Sequence, residues 1–441
     1  MAPTRCKFVL FLFLLVSVYA PTQTGNGIAA TAVTVGAPLG TEQQGGNTLL
    51  VGTTVATSYD DNALNSKPEV QNLLTTLYTQ VGVNITRARW LATLSWITGV
   101  SYNSANIPQN NFLSQSLGGT WLYRSTQRLN FEVRDSFSYS TNPFDALRNS
   151  AVLPQFGTLN TPTYITWNNI PKIIEVAGAT VTYAASPQTN AYVDLGYEYL
   201  GYQNLRGANG MTSPLHSQSG GMAIGLSKQI SQRYSTGLQY SLQYLDYDSG
   251  QVRTTAQSLE YLLTVALKRS MSISGIIGPQ YLQSTVNSLG GVAGGSGLPK
   301  TNSWSWVGGI TFDWTGRHNG LGASVIREVN TGVGLEANVQ QLVANVQLHR
   351  EFTKRFSAYL FTNYTTNQPL VGRGIFAASA NSYLSAGAGL TRDFTNRLTF
   401  GATYWIIRQG KPGPQNLLYA GDHNRFAFSL SYQLIRPLRR H

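Results

Sequence analysis

The sequence predicts an all-β fold, a transmembrane antiparallel up-and-down β-barrel of about 18 strands, and three observations support this prediction. Charged residues make up only 11% of the chain, well below the roughly 25% found in soluble domains. Apolar and polar residues alternate through most of the chain, as they do in strands with two different faces. A short turn pattern also recurs at intervals of one hairpin. This combination favours a barrel over an array of soluble β-sandwiches.

The recurring turn consists of a Ser or Thr, a polar residue, an Arg and then an apolar residue. Its hydroxyl can hydrogen-bond the local backbone and hold a tight turn. Close copies occupy 123–129, 228–234, 350–356 and 392–398, and looser copies occupy 85–90, 185–190, 268–271 and 314–320. Two strands around each turn, with one more at each end of the chain, give about 18 strands. A count of about 16 remains open if the first two strands are misread.

The N-terminal segment 1–32 has the features of a secretory signal peptide. Arg5 and Lys7 provide a positive start, and the apolar run that follows them is too short to span a bilayer. Small residues place the cleavage site between Ala20 and Ala32, and the sequence leaves both ends of that interval open.

The rest of the chain divides into a short lead-in and one large domain. Residues 33–46 are rich in glycine and predict a flexible periplasmic lead-in. The barrel itself is predicted over 47–436. The only cysteine, Cys6, precedes the apolar run and leaves with the signal peptide, so disulfides are excluded from the mature chain.

Alternation assigns one face of each predicted strand to lipid and the other to the lumen. In the strand over 189–200, Asp194 and Glu198 lie opposite a face that carries Tyr197. The apolar face is assigned to lipid, since a Lys or Arg at the bilayer midplane would cost about 2–4 kcal/mol. The alternation slips by one residue at Gln340 and Gln341, which predicts a β-bulge there.

The width of such a barrel leads to a functional prediction. A barrel of about 16–18 strands is too wide for side chains to fill and leaves an aqueous channel. We therefore expect a porin-like channel for small solutes or for export of a polymer. Rings of charge set ion preference in pores, and the candidate lumen residues are Glu132, Arg134, Asp194, Glu198, Glu260 and Asp313. Individually, these charges are also explained as structural pairs that brace the wall.

The longest predicted loop, 140–174, is the candidate constriction of the channel. It either folds into the lumen and sets the pore size or lies outside as a surface loop. Its candidate residues are Phe144, Asp145, Arg148, Trp167 and Lys172. A structural or surface-display barrel with an occluded lumen is the alternative function, and an enzyme with a site at the barrel rim is a weaker one.

Composition also bears on the partners. The formal net charge is +12, and many of the basic residues lie in the short turns, where they suit lipid headgroups better than nucleic acid. The scattered histidines lack metal-ligand spacing, so no catalytic residue and no cofactor are predicted. Asp60 and Asp61 are a weak Ca²⁺ candidate and more simply a turn-forming loop tip. Sequence leaves the formation of a homo-oligomer open.

The segment 57–63, which contains the run Tyr59-Asp60-Asp61-Asn62, carries a resemblance. The sequence resembles β-barrel porin families of Gram-negative bacteria, including outer-membrane proteins linked to exopolysaccharide export, whose first strand often ends in a similar stretch. The resemblance implies an outer-membrane location and, as partners, membrane lipids and either small solutes or a secreted polysaccharide. It implies no catalytic residues.

Overall fold

The computed structural model describes residues 47–62, 71–104, 111–140, 172–202, 216–247, 252–286, 301–330, 338–370, 381–409 and 422–437. These residues form 18 strands. Their bounds are β1 Thr48–Asp60, β2 Asn72–Arg87, β3 Trp90–Asn103, β4 Asn111–Arg124, β5 Leu129–Ser140, β6 Lys172–Ser186, β7 Thr189–Tyr202, β8 Ser217–Gln229, β9 Tyr234–Tyr247, β10 Val252–Lys268, β11 Met271–Val286, β12 Thr301–Thr315, β13 Asn319–Asn330, β14 Val339–Thr353, β15 Phe356–Pro369, β16 Asn381–Asp393, β17 Leu398–Gln409 and β18 His423–Pro437.

The strands form one closed sheet. Each strand is antiparallel to its neighbours in the chain, and β1 pairs with both β2 and β18. The β1–β18 register runs from Thr48↔Pro437 to Asp60↔Arg425, so the first and last strands are joined along their whole length. The predicted up-and-down barrel of about 18 strands is therefore confirmed. Among the described residues, no helix is long and apolar enough to cross a membrane.

The recurring turns close hairpins at one end of the barrel, and the hydroxyl acts as predicted. Thr126 Oγ1 accepts a hydrogen bond from the backbone N–H of Leu129 at 3.1 Å, and Thr395 Oγ1 accepts one from Leu398 at 3.0 Å. Ser231 Oγ has the same role in its own turn. This end is called the turn end below, and the opposite end, where the longer connections begin, is called the loop end.

Outward-facing side chains form an apolar belt around the barrel. Large apolar side chains are exposed on the outer face all around the wall. Examples are Val55, Leu77, Leu94, Leu117, Leu195, Leu238, Leu259, Ile310, Leu360, Leu390 and Phe428. A soluble protein rarely exposes so large a contiguous apolar surface, whereas a barrel in lipid requires one. The assignment of the apolar face to lipid follows directly from this belt.

Two carboxylates interrupt the belt. Asp135 on β5 faces outward between Val133 and Phe137, and Glu175 on β6 faces outward opposite Phe137. Asp135 pairs with Gly119 on β4 and with an alanine on β6, so its immediate neighbours across the strands are small. The described side chains give neither carboxylate an ion-pair partner.

The predicted bulge at Gln340 and Gln341 is wrong. Both residues keep regular register with β13 and β15, as Gln340↔Val329 and Gln341↔Glu328 show on the β13 side. The register shift of β14 lies instead at its turn end, between Glu351 and Thr353. The slip in alternation reflects a different feature, which is the path of the loop end of β13 and β14.

The loop end of β13 and β14 bends into the lumen. Pairing between β12 and β13 runs from Thr315↔Gly320 only as far as Gly308↔Arg327 in the described residues. Val329, which alternation would turn outward, is instead buried in a cluster with the lumen-facing residues Leu245, Ala256 and Leu282 of β9, β10 and β11. The end of the β13–β14 hairpin therefore lies inside the wall and covers it.

Two hydrogen bonds hold this inward position. Gln340 Nε2 donates to Ser305 Oγ at 2.6 Å, which joins the nominally outward face of β14 to the inward face of β12. Asn338 Nδ2 donates to Thr254 Oγ1 on β10 at 2.8 Å. The residues that make these contacts, Glu328–Asn330 and Asn338–Gln341, are called the inserted hairpin end below.

Candidate functional site in the barrel lumen

Polar side chains on the inner faces of β5, β6, β7, β9 and β10 form two hydrogen-bonded clusters, and the first is built around the salt bridges of Arg134. This guanidinium lies 3.5 Å from the Glu132 carboxylate and 3.4 Å from the Asp194 carboxylate. It also donates to Thr180 Oγ1 at 2.7 Å, and the Thr180 hydroxyl in turn donates to Asp194 at 2.5 Å. Three neighbouring strands thus contribute to one charged cluster, with two carboxylates around one guanidinium.

Glu260 is the centre of a second cluster on β9 and β10. Its carboxylate accepts hydrogen bonds from Ser241 Oγ at 2.9 Å and from Ser258 Oγ at 2.5 Å. Gln239 Nε2 donates to the other carboxylate oxygen at 3.1 Å. Both oxygens are therefore satisfied by neutral donors, and the cluster keeps the negative charge of Glu260 without a described cation beside it.

Tyr192, two residues from Asp194 on the inner face of β7, joins the second cluster by crossing a strand. It lies on β7, in register with Gly225 on β8 and Gln239 on β9. A Cβ atom at Gly225 would clash with the Tyr192 ring, so the glycine lets the ring lie flat over β8. The Tyr192 hydroxyl then donates to Gln239 Oε1 at 2.5 Å. Tyr359 crosses a strand in the same way. Its ring lies over Gly389, and its hydroxyl oxygen is 2.7 Å from Thr403 Oγ1.

The structure places the predicted lumen residues in different settings. Glu132, Arg134 and Asp194 belong to the first cluster and Glu260 to the second, whereas Glu198 lies nearer the loop end of β7, outside both. Asp313 faces the lumen near the turn end of β12, away from both clusters.

Sequence reasoning missed Tyr192, Gln239 and Glu328. All three lie on inward positions by strict alternation, and that signal could have identified them.

Inward side chains are more exposed at the turn end of the barrel than at the loop end. On β3, the inward Thr93 near the turn end is exposed, whereas the inward Ser101 near the loop end is only 1% exposed. The same burial occurs all around the loop end, at Ser58, Asn72, Thr76, Ser138, Ser217, Thr254, Ser284, Gln341 and Thr365. Inward side chains that line open water would remain exposed, so the lumen is more closely filled at the loop end, and this filled part is called the constriction below.

The inserted hairpin end supplies part of this constriction. Of the five candidate residues in the predicted loop 140–174, the structure describes only Lys172, which is the first residue of β6 rather than part of a loop. Phe144, Asp145, Arg148 and Trp167 lie outside the described residues. Loop 140–174 therefore stays a prediction, while the β13–β14 contribution is a finding that sequence analysis did not anticipate.

The Asp60 side chain holds the turn that follows β1, and the Asp61 side chain joins this turn to β18. Asp60 accepts a hydrogen bond from the Asn62 backbone N–H at 2.9 Å, and Asp61 accepts two from Asn424, at 2.7 and 2.5 Å. In the part of the chain that the structure describes, no group of three or more His, Cys, Asp or Glu side chains could hold a metal ion.

Comparison with known proteins adds several distant structural similarities. No protein-family model matches the chain, and no curated protein matches it. OpdQ of Pseudomonas aeruginosa aligns at a TM-score of 0.44 and 11% identity, over 88% of this chain and 99% of that one. OccAB4 of Acinetobacter baumannii aligns at 0.44 and 10%, over 89% and 99%. The outer membrane protein OpdK of Pseudomonas aeruginosa aligns at 0.41 and 11%, over 88% and 99%.

The geometry itself defines the class of protein. A closed antiparallel sheet of 18 strands, an apolar belt facing outward and a charged, hydrogen-bonded lumen wall are the features of an outer-membrane β-barrel. The protein is a transmembrane β-barrel of the outer-membrane type.

Proposed function

We propose that the protein is an outer-membrane channel through which small hydrophilic solutes diffuse. The observation that carries the proposal is the lumen wall, where charged, amide and hydroxyl side chains of β5, β6, β7, β9 and β10 form two hydrogen-bonded clusters. Such a wall is stable only beside water or a polar partner, because buried polar groups without partners are costly. A barrel of this strand number encloses room for that water.

The charges of the wall favour cations over anions. Glu132 and Asp194 share one guanidinium, and the Glu260 carboxylate is held by neutral donors only. On the opposite wall, Arg425 donates to Ser58 at 2.9 Å and lies over the Trp405 ring. Rings of carboxylates in a pore attract cations, so the β5–β10 wall is the side along which we expect cations to pass.

A barrel with an occluded lumen is the second candidate. The burial of inward side chains at the loop end and the inserted hairpin end both favour it. In that case the protein would serve as a structural or surface-display barrel, and its lumen network would brace the wall. Export of a polymer would need a wider loop end than these buried side chains leave, so passage of small solutes is preferred.

Single-channel recording separates these functions. The mature protein, starting at Val33, would be refolded, shown to be inserted in a planar bilayer, and recorded under a salt gradient. We expect discrete current steps and a reversal potential that indicates cation preference. Replacement of Glu260 by Gln should reduce the cation preference and leave the current steps present. Silence from a folded, inserted protein would reject the channel and support the occluded barrel.

A further inference from the structure

Glu328 occupies an unusual position on the inserted hairpin end. Its side chain faces the lumen side of β13 and is only 5% exposed. Both carboxylate oxygens are buried and have no hydrogen-bond partner. Since most buried polar groups in proteins are hydrogen-bonded, each exception requires an explanation.

The described residues around Glu328 supply no cation. The adjacent Arg327 points to the other face, where its guanidinium lies 4.4 Å from the Trp306 ring centroid and donates to Gln340 Oε1 at 2.7 Å. Arg134 is held by Glu132 and Asp194. The basic side chains of the described wall thus leave the Glu328 carboxylate without compensation.

A second acid lies close to Glu328. Glu198 of β7 is in register with Ser219 of β8 and Leu245 of β9, and Leu245 packs against Val329, the residue next to Glu328. The described residues give Glu198 no ion pair. Two carboxyl groups that face one narrow space repel each other when both are ionised, and a positive group placed between them stabilises the ionised form of both. The inward bend of the β13–β14 hairpin is what brings Glu328 into this position.

We propose that Glu198 and Glu328 form a binding site for an organic cation that carries ammonium groups. An ammonium group donates three hydrogen bonds and has no acceptor, which complements the free oxygens of Glu328. A diamine would offer one such group to each carboxylate. The inference rests on the proposed channel function, because a solute reaches this site only through the lumen.

Equilibrium binding tests the site without relying on conduction. Putrescine, a flexible dication, would be titrated into the folded barrel in detergent and followed by calorimetry. We expect saturable binding to the unmodified protein, and binding about tenfold weaker or worse in Glu328→Gln and in Glu198→Gln, since each loses one charged partner. Glu175→Gln is the matched control, because it removes the same charge from the outer face.

Folding of the variants must be monitored in parallel. Glu328→Gln removes a buried carboxyl group that has no hydrogen-bond partner among the described residues, so its urea midpoint without putrescine should equal or exceed that of the unmodified protein. Putrescine should raise the midpoint of the unmodified protein and leave that of Glu328→Gln unchanged.

Several results would overturn the site. These are absence of putrescine binding, equal binding by Glu328→Gln, or preferential binding of Ca²⁺ that is lost in the same variants. Binding without conductance would reject the channel alone, whereas conductance without binding would reject the site alone.

Discussion

Arg134 is the residue whose removal should disturb the lumen wall most. Its side chain is 12% exposed, and its partners Asp194 and Glu132 are 16% and 30% exposed. Replacement by Met keeps the length of the side chain and removes the charge. The two carboxylates then face each other across β6 with only the Thr180 hydroxyl between them. We expect the variant to be destabilised and its cation preference to increase.

The magnitude follows from the contacts that are lost. Arg134 makes a charged hydrogen bond to Thr180 and ion pairs with two acids. Hydrogen bonds to charged groups contribute about 1.5–3 kcal/mol, and removal of one partner from a fully buried ion pair costs about 3–5 kcal/mol. Because the pairs here retain some contact with lumen water, we expect a loss of about 1–3 kcal/mol for Arg134→Met.

A double-mutant cycle in lipid vesicles measures this coupling. Urea unfolding, followed by tryptophan fluorescence, would give the stabilities of Arg134→Met, Asp194→Asn and the combined variant. We expect an interaction energy of about 1 kcal/mol or more between the two sites. Asp194→Asn should cost more than Glu132→Gln, since Asp194 also accepts from Thr180. Additive single effects would refute the network and would leave these charges as independent surface groups.

Three further outcomes can be measured on the same folded barrel. Gly225→Ala should displace the Tyr192 ring from β8, lower stability by about 1–3 kcal/mol and change tyrosine fluorescence; an unchanged spectrum would contradict the crossing. Asp135→Ala should stabilise the barrel in vesicles by about 1 kcal/mol, since a lipid-facing carboxylate is unfavourable; a loss of stability would show that a partner covers Asp135. Thr395→Ala should lower the free energy of urea unfolding by about 0.5–1.5 kcal/mol, because it removes two hydrogen bonds of the turn. An equal loss in Asn396→Ala would show that the Thr395 hydroxyl does not stabilise the turn.

The wall of the barrel could be predicted because it is specified locally. A hydroxyl such as that of Thr395 bonds its own turn, and alternation alone assigns Asp194 to the lumen. Every hairpin repeats this information, so errors at one strand do not change the count. The charged residues of both clusters were therefore identified as lumen residues from sequence, although their uncharged partners were not.

The partners depend on register across several strands, which alternation does not provide. The contact between Tyr192 and Gln239 requires β7, β8 and β9 to align on Gly225. From the sequence alone, Gly225 is only a small residue within a strand, and nothing indicates that an aromatic ring crosses it. Similarly, the separation between Glu198 and Glu328 depends on six strands and on the bend of one hairpin, so no local pattern could reveal it.

The slip in alternation at Gln340 and Gln341 contained the missing information. A bulge and a strand that leaves the wall produce the same local pattern, because both turn a side chain away from its expected face. The structure distinguishes them through a long-range contact, the hydrogen bond from Gln340 to Ser305 on β12. An outward position on β14 can touch an inward position on β12 only if β14 passes inside β12.

This path has a consequence for the way the barrel is sealed. Above Gly308, the described part of β12 is no longer paired with β13, and unpaired backbone cannot face lipid hydrocarbon. Gln340 and Arg327 fill this region with side-chain hydrogen bonds, and the Trp306 ring covers Arg327 on the outer face. Withdrawal of the inserted hairpin end would break these contacts and expose the edge of β12. The hairpin end is therefore better regarded as a fixed part of the constriction than as a movable plug, and selectivity at Glu328 would be built into the wall.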